Sequence, residues 1–414
     1  MKRRRDELQM LNEPRASILS SIHEFFFGFL YEDETEAPTE DEEESIRPTI
    51  YGALCVHLFL QSAAAASALA QGHTTASILG TAIGKLVTGL LPDMMGARFT
   101  STLFSLLLAA TFLYMSLIDT PPITFFLVEF CYAVQWPCVV LVLHAHRQLD
   151  QGVFWTSLAC RLGSIVGVWL LRFQWLLSAW FASLAASIIY HYVHDTPEAT
   201  HQPLNPIVFP QQTTRPIRKL SYILRHHLFP AVSRIVQSPK FWMLATAHTG
   251  ASLIRTADRV MPGPTGIGTF LGLVIAGPLF AHQPNVRARK WMVSRLYGAA
   301  VVACYGMVVV VGWDAELARV VRNLCMVLAS FGMAVPFYHI PSLVATDADK
   351  GLFLAYTDGM AYAAASAVWC AGNSSWTWAL IALWVLVAGV VMVEFLELYL
   401  CRPSHKDYET ILLA

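Results

Sequence analysis

Twelve apolar stretches follow one another along this chain, each close to the ~20 residues that a helix needs to cross the ~30 Å hydrocarbon core of a bilayer. They fall at about 49–70, 74–92, 99–118, 121–145, 151–171, 173–193, 240–259, 266–283, 291–312, 318–341, 352–372 and 375–399. A lipid environment forces every backbone N–H and C=O to find a partner inside the protein, and a helix does this within one segment. The expected class is therefore all-α and polytopic, with the lipid bilayer as its first partner. Composition agrees: 55% of the 414 residues are apolar and 14% charged, outside the range of soluble domains. A net charge of −1 offers no electrostatic case for nucleic acid. The eight cysteines show neither CxxC nor Cys/His spacing, so free, buried thiols are expected and no metal.

Polar segments divide the rest. Residues 1–48 form a tail that opens with MKRRR, passes through the short apolar HEFFFGFLY and ends in EDETEAPTEDEEES; a disordered or surface-lying segment is expected. Residues 49–193 would be one six-helix bundle, 194–239 a central linker, 240–399 a second bundle and 400–414 a C-terminal tail. Span 7 is the least regular, with Arg255, Asp258 and Arg259 crowding its end. With both termini in the cytosol, basic residues of the N-terminal tail, the linker and the cluster Arg287, Arg289, Lys290 and Arg295 all lie inside, leaving Arg172, Arg259, Arg319 and Arg322 outside. This is the bias that orients membrane proteins. MKRRR resembles a retention signal and DYETIL, at Asp407–Leu412, a sorting signal; the membrane itself stays open.

The halves show matching features. Gly84 and Gly89 recur at the spacing of Gly272 and Gly277; Pro137 in span 4 is matched by Pro336 in span 10; His57 and His248 stand about nine residues into spans 1 and 7. Two duplicated, parallel bundles are implied. Between spans 2 and 3, GLLPDMMGAR places Gly89, Asp93, Gly96 and Arg98 in the pattern GxxxDxxGxR. This resembles the corresponding loop of the major facilitator superfamily, and the resemblance covers about 49–399. It implies that fold, with the loop acting as a latch during alternating access. Asp93 would accept from a neighbouring helix N-terminus, where the macrodipole favours an anion. GKLVTG and QWP, at Gln135–Pro137, further resemble the organophosphate:phosphate antiporter branch, which has a lysine at the position of Lys85 and a histidine close to that of Arg161. The arginine that this branch carries in helix 1 has no counterpart; His57 and Gln61 are the large polar side chains there.

Charge at bilayer depth costs at least ~2.5–3.5 kcal/mol, so such residues face a partner or a watery cavity. Lys85 and Arg161 fall near the midplane, Glu129 and Asp358 about a third of the way in, and Arg255 toward the far end. Three cations against two anions point to an anionic or zwitterionic solute. Candidate solute contacts are Arg161, Arg255, Lys85, His57, Gln61 and Gln135; candidate gating residues are Gly89, Asp93, Gly96, Arg98 and Asp358; Glu129 is a candidate proton-coupling group. Each has a plainer alternative: Lys85 paired with Asp358, Arg161 in helix packing, Arg255 in a solvated helix end, Glu129 hydrogen-bonded, and the histidines satisfied in the core. No Walker A, HExxH or GxSxG pattern is present, so neither enzyme chemistry nor ATP-driven transport is expected, and no cofactor. The expectation is a secondary active transporter for a small organic solute, with phosphate or a proton as candidate co-substrate; the alternative is a non-transporting receptor-like or scaffold protein on the same fold.

Overall fold

The computed structural model describes residues 46–69, 74–89, 91–118, 121–146, 149–172, 174–195, 229–257, 261–281, 283, 286–313, 316–344 and 350–400. The tails, most of the linker and the two signal-like motifs lie outside the described residues. Helices account for nearly all of what is described, with no strand among it.

In the first half, α1 (Ile46–Leu69), α2 (Thr74–Thr88), the short α3 (Leu91–Met95), α4 (Ala97–Leu117), α5 (Pro122–Tyr132), α6 (Gln135–Ala145), α7 (Leu149–Leu170) and α8 (Trp175–Tyr192) form one bundle. In the second, α10 (Pro239–Thr256), α11 (Pro262–Leu271), α12 (Gly277–Ala281), α13 (Val286–Val310), α14 (Glu316–Val344), α15 (Lys350–Trp369) and α16 (Ser375–Leu400) form the other. Between them α9 (Phe229–Gln237) lies at the end of the linker and buries Ala231 and Ile235 against Phe241, Ala245 and Leu352.

Among the described residues, nine stretches are long and apolar enough to cross a membrane. The three helices that complete the twelve expected spans are α8, α10 and α15. Lys240, His248 and Arg255 dilute the apolar character of α10, and Lys350 and Asp358 that of α15. Exposed tryptophans stand near helix ends, Trp169, Trp313 and Trp376 among them, as in the aromatic belts of multi-pass membrane proteins.

Span 4 is two helices rather than one, because Pro137 has no N–H and its ring crowds the carbonyl four residues back, at Ala133; the chain turns at Ala133–Val134. Helix α14 runs unbroken through Pro336. Span 8 contains a π-helical turn, Gly272–Ala276, between α11 and α12. Glycine spacing sets the close packing within each half. A Cβ on Gly84 would lie 2.8 Å from Phe130 O and from Ala133 Cβ; one on Gly272 would lie 2.6 Å from Phe331 O and from Ala334 Cβ. Gly80 against Phe126 and Gly268 against Val327 repeat the arrangement one turn earlier. The duplication thus extends to the atoms that touch. The seven described cysteines are free.

The bundles meet along two seams. On one, α2 packs against α15, with Ala355 Cβ 2.5 Å from where a Gly89 Cβ would stand. On the other, α7 packs against α11 and α14.

Candidate functional site

Between the seams lies a cavity of about 70 Å³. Its charged lining is Lys85 from α2, Glu129 from α5, Arg161 from α7, Arg255 from α10 and Asp358 from α15. Ser62, Thr81, Tyr132, Ser164, Tyr338 and Tyr362 add hydroxyls, and Trp136 and Phe337 add aromatic faces. Both bundles contribute, so the space exists only between them. A single water needs about 10–15 Å³ of such space, so the cavity admits several waters or a small ion in the arrangement described.

Lys85, Asp358, Glu129 and Arg161 are each anchored by a named group. Lys85 Nζ lies 2.5 Å from Asp358 Oδ2, an ion pair across the α2–α15 seam with side chains 7% and 5% exposed. The other carboxylate oxygen, Oδ1, is 2.6 Å from His248 Nε2. The His248 ring is stacked on Phe337, with centroids 4.8 Å apart. Thr81 donates to Glu129 Oε2 at 2.8 Å, one helical turn before Lys85. Arg161 is 1% exposed; its Nε donates to the Tyr338 hydroxyl at 2.5 Å, and its guanidinium stands 5.5 Å from the centre of that ring. This contact crosses the other seam. Trp136 meets Tyr338 edge-on at 5.5 Å, and Leu273 of the π-helical turn packs against it from behind. Arg255 is half-buried and lines the same cavity. Burying a cation is tolerable where acceptors and rings replace water, and each of these contacts supplies one or the other.

Three of the expected solute contacts lie elsewhere. His57 is fully buried inside the first bundle, with Nδ1 3.0 Å from Ala185 O and Nε2 3.1 Å from both Gln135 Oε1 and Ser101 Oγ. Ser101 also donates to Gln135 Oε1 at 2.5 Å. Gln61, one turn beyond His57, is fully buried too, with no hydrogen-bond partner among the described residues. None of the three lines the cavity. On α1 the cavity face carries Leu58, Ser62, Ala65 and Ala66; His57 and Gln61 sit one residue earlier, about 100° around the helix.

The α2–α4 turn ties the bundles at one end. Asp93 Oδ2 accepts from the Leu352 N–H at 3.0 Å, in the first turn of α15, where unsatisfied N–H groups and the helix dipole favour a carboxylate. Gly96 has φ +86°, and a side chain there would run into the Asp195 carboxylate. Asp195 Oδ1 accepts from Arg98 N at 2.7 Å, while Arg98 Nη2 donates to Tyr190 O and the guanidinium lies 4.9 Å from the Tyr190 ring. Asp93 therefore reaches the other half, and Arg98 ties the turn to the end of α8. No motif marks Asp195 or Tyr338: one begins what reads as linker, the other is one aromatic among many.

The arrangement is the major facilitator fold. The proton:xylose symporter XylE bound to 6-bromo-6-deoxy-D-glucose matches with a TM-score of 0.59 at 12% identity, over 87% of this chain and 97% of that one. The E. coli fucose:proton symporter FucP matches with 0.55 at 13%, over 84% and 98%. The human organic anion transporter MFSD10 matches with 0.51 at 13%, over 84% and 99%. At such identities the likeness is one of fold. No protein-family model and no curated protein matches the sequence. With its apolar helices, this fold makes the chain an integral, multi-pass membrane protein.

Proposed function

We propose that the chain is a secondary active transporter, not an enzyme, and that it moves a small anionic or zwitterionic organic solute by alternating access, with both termini in the cytosol. The observation that carries this reading is the cavity between the bundles, where Lys85, Arg161 and Arg255 stand against Glu129 and Asp358. Arg161 comes from the first half and Arg255 from the second. An anion held between them gains affinity as the halves close, and that differential affinity lets binding drive rocking. Lys85 serves as a third contact when released by Asp358. Asp93, with Gly89, Gly96 and Arg98, latches one end: Asp93 releases Leu352 when that end opens. The narrower reading, exchange of phosphate esters for phosphate, draws on Lys85 and on Gln135–Pro137. Gln135 spends its amide on Ser101, Ser105 and His57, so a general organic anion is the better-supported solute.

The test is uptake into proteoliposomes with phosphate, phosphate esters, carboxylates and amino acids in competition, followed by binding to Arg161 variants. Lysine cannot reproduce the planar donor set of arginine. Arg161→Lys is expected to weaken binding of the transported anion with expression intact, and Arg161→Ala to weaken it more. Equal affinity for wild type and Arg161→Ala would overturn the assignment. Uptake of no class by well-folded protein would favour the receptor-like alternative.

A further inference from the structure

On the outer side of the second bundle, α13 and α16 run antiparallel and leave a groove between them. The Lys290–Glu397 ion pair ties them at one end, and they come into close contact where a Gly389 Cβ would lie 3.0 Å from Tyr297 Cβ. The groove over that contact measures about 340 Å³ and is open to the surrounding bilayer, a size within the range of small-molecule sites. Ser294, Gly298 and Val301 line it from α13, and Leu386, Val390 and Glu394 from α16. From Ser294 to Val301 it runs ~10 Å along the helix.

The protein's own packing leaves two of these residues unexplained. Gly298 lies within a helix, where glycine is less favourable than alanine, and at Gly84 or Gly272 the reason is a facing helix that comes close. A Cβ at Gly298 would meet nothing within 4 Å. Glu394 belongs to the most apolar of the spanning helices and is exposed. It has no hydrogen-bond or ion-pair partner among the described residues, and the exposed Arg295 makes no ion pair with it. A carboxylate at membrane depth calls for a partner.

We propose that this groove binds a sterol, with the ring body lying over Gly298 and the hydroxyl donating to Glu394 while accepting from Ser294. The site goes beyond the transport reading and does not depend on it. Depth selects the ligand. Lys290, Glu397 and the exposed Trp291 stand about one helical turn nearer the membrane edge, at the level of the lipid headgroups. One turn further in, a phospholipid presents ester carbonyls, which only accept and leave a carboxylate unsatisfied. A sterol presents a hydroxyl there, donor and acceptor in one group. Beyond it, a rigid and flat ring system fills a short groove with little freedom to lose, whereas a flexible acyl chain has to be ordered. The spacing of Arg295, Tyr297 and Val301 also fits the short basic, aromatic, branched pattern suggested for cholesterol contact.

The experiment uses the full chain in phosphatidylcholine nanodiscs, irradiated with a diazirine-bearing sterol, with the labelled peptides identified by mass spectrometry. Wild type is expected to label saturably within 294–301 and 386–394. Unlabelled cholesterol or ergosterol should compete, and phosphatidylethanolamine and sphingomyelin should not. Glu394→Leu removes a hydrogen bond to a carboxylate and is expected to raise the half-saturating sterol concentration about tenfold. Gly298→Leu and Val390→Trp fill the groove from positions open to lipid and are expected to abolish labelling there. These two lie on different helices, so if one misfolds the other decides. Labelling that fails to saturate, that phosphatidylethanolamine or sphingomyelin displaces as well as cholesterol does, or that survives a folded filling variant would mark ordinary lipid contact and overturn the proposal.

Discussion

His57 and His248 stand at matching places in the first helix of each half, and their surroundings differ completely. His57 looks into its own bundle, held by Ala185 O, Gln135 and Ser101. His248 stacks on Phe337 and meets Asp358, which is bridged to the opposite bundle. The difference is one of phase around the helix. On α10 the cavity-lining Arg255 follows His248 by seven residues, two turns, so both lie on one stripe. On α1 the cavity stripe runs through Leu58 and Ser62, and His57 falls beside it. A duplicated scaffold has thus given one histidine to internal packing and the other to the interface, while keeping the glycine contacts that set helix spacing in both halves.

Substitutions test that contrast. Asp358→Leu leaves a buried Lys85 without its partner and is expected to cost about 3–5 kcal/mol in thermal stability. The double variant Lys85→Met/Asp358→Leu should recover part of that loss, and strict additivity across the cycle would dissolve the pair. Next come the repeat contacts: Gly80→Ala and Gly268→Ala push a methyl into a facing helix backbone, at about 1–3 kcal/mol each. Similar losses in the two halves are expected, and a marked inequality would mean that the repeat is not mechanically equivalent. His57→Gln strands buried partners at Ala185 and Gln135, an expected ~1–3 kcal/mol of melting stability, with transport per folded molecule retained. His248→Gln should instead lower transport per folded molecule, because it removes a contact of the bridging Asp358, so matching phenotypes for the two histidines would end the comparison. The smallest stability effect belongs to Asp93→Asn, which removes an exposed carboxylate from the N-terminus of α15, worth about 0.3–1 kcal/mol. Its transport rate is expected to fall far more than its melting temperature, and a wild-type rate would free the loop of its latch role.

The twelve spans, the six-plus-six division and the Gly89–Arg98 loop were legible because they depend on local properties: runs of apolar residues long enough for a bilayer, and a short pattern of glycine and charge. The repeat was legible in Gly84 and Gly272 for a similar reason, since a close helix approach leaves a glycine wherever it occurs. Lys85, Glu129, Arg161, Arg255 and Asp358 stood out because charge in an apolar span is costly anywhere. What each of them meets depends on helices far apart in the chain. Asp358 faces Lys85 across 273 positions of sequence, and Arg161 faces Tyr338 across 177. Whether a polar residue points into the cavity or into its own bundle turns on a rotation of about 100° per residue. Hydropathy is blind to that angle when a helix is apolar on every side, as α1 nearly is, and so His57, Gln61 and Gln135 were indistinguishable from cavity residues until the helices were packed. The apolar runs alone commit this chain to a membrane as helices, because the solvent imposes that on any such pattern, and the repeated glycines add the pairing of the two halves. Only the tertiary structure decided which buried charges share a partner, because that is fixed by the azimuth at which each helix presents its side chains.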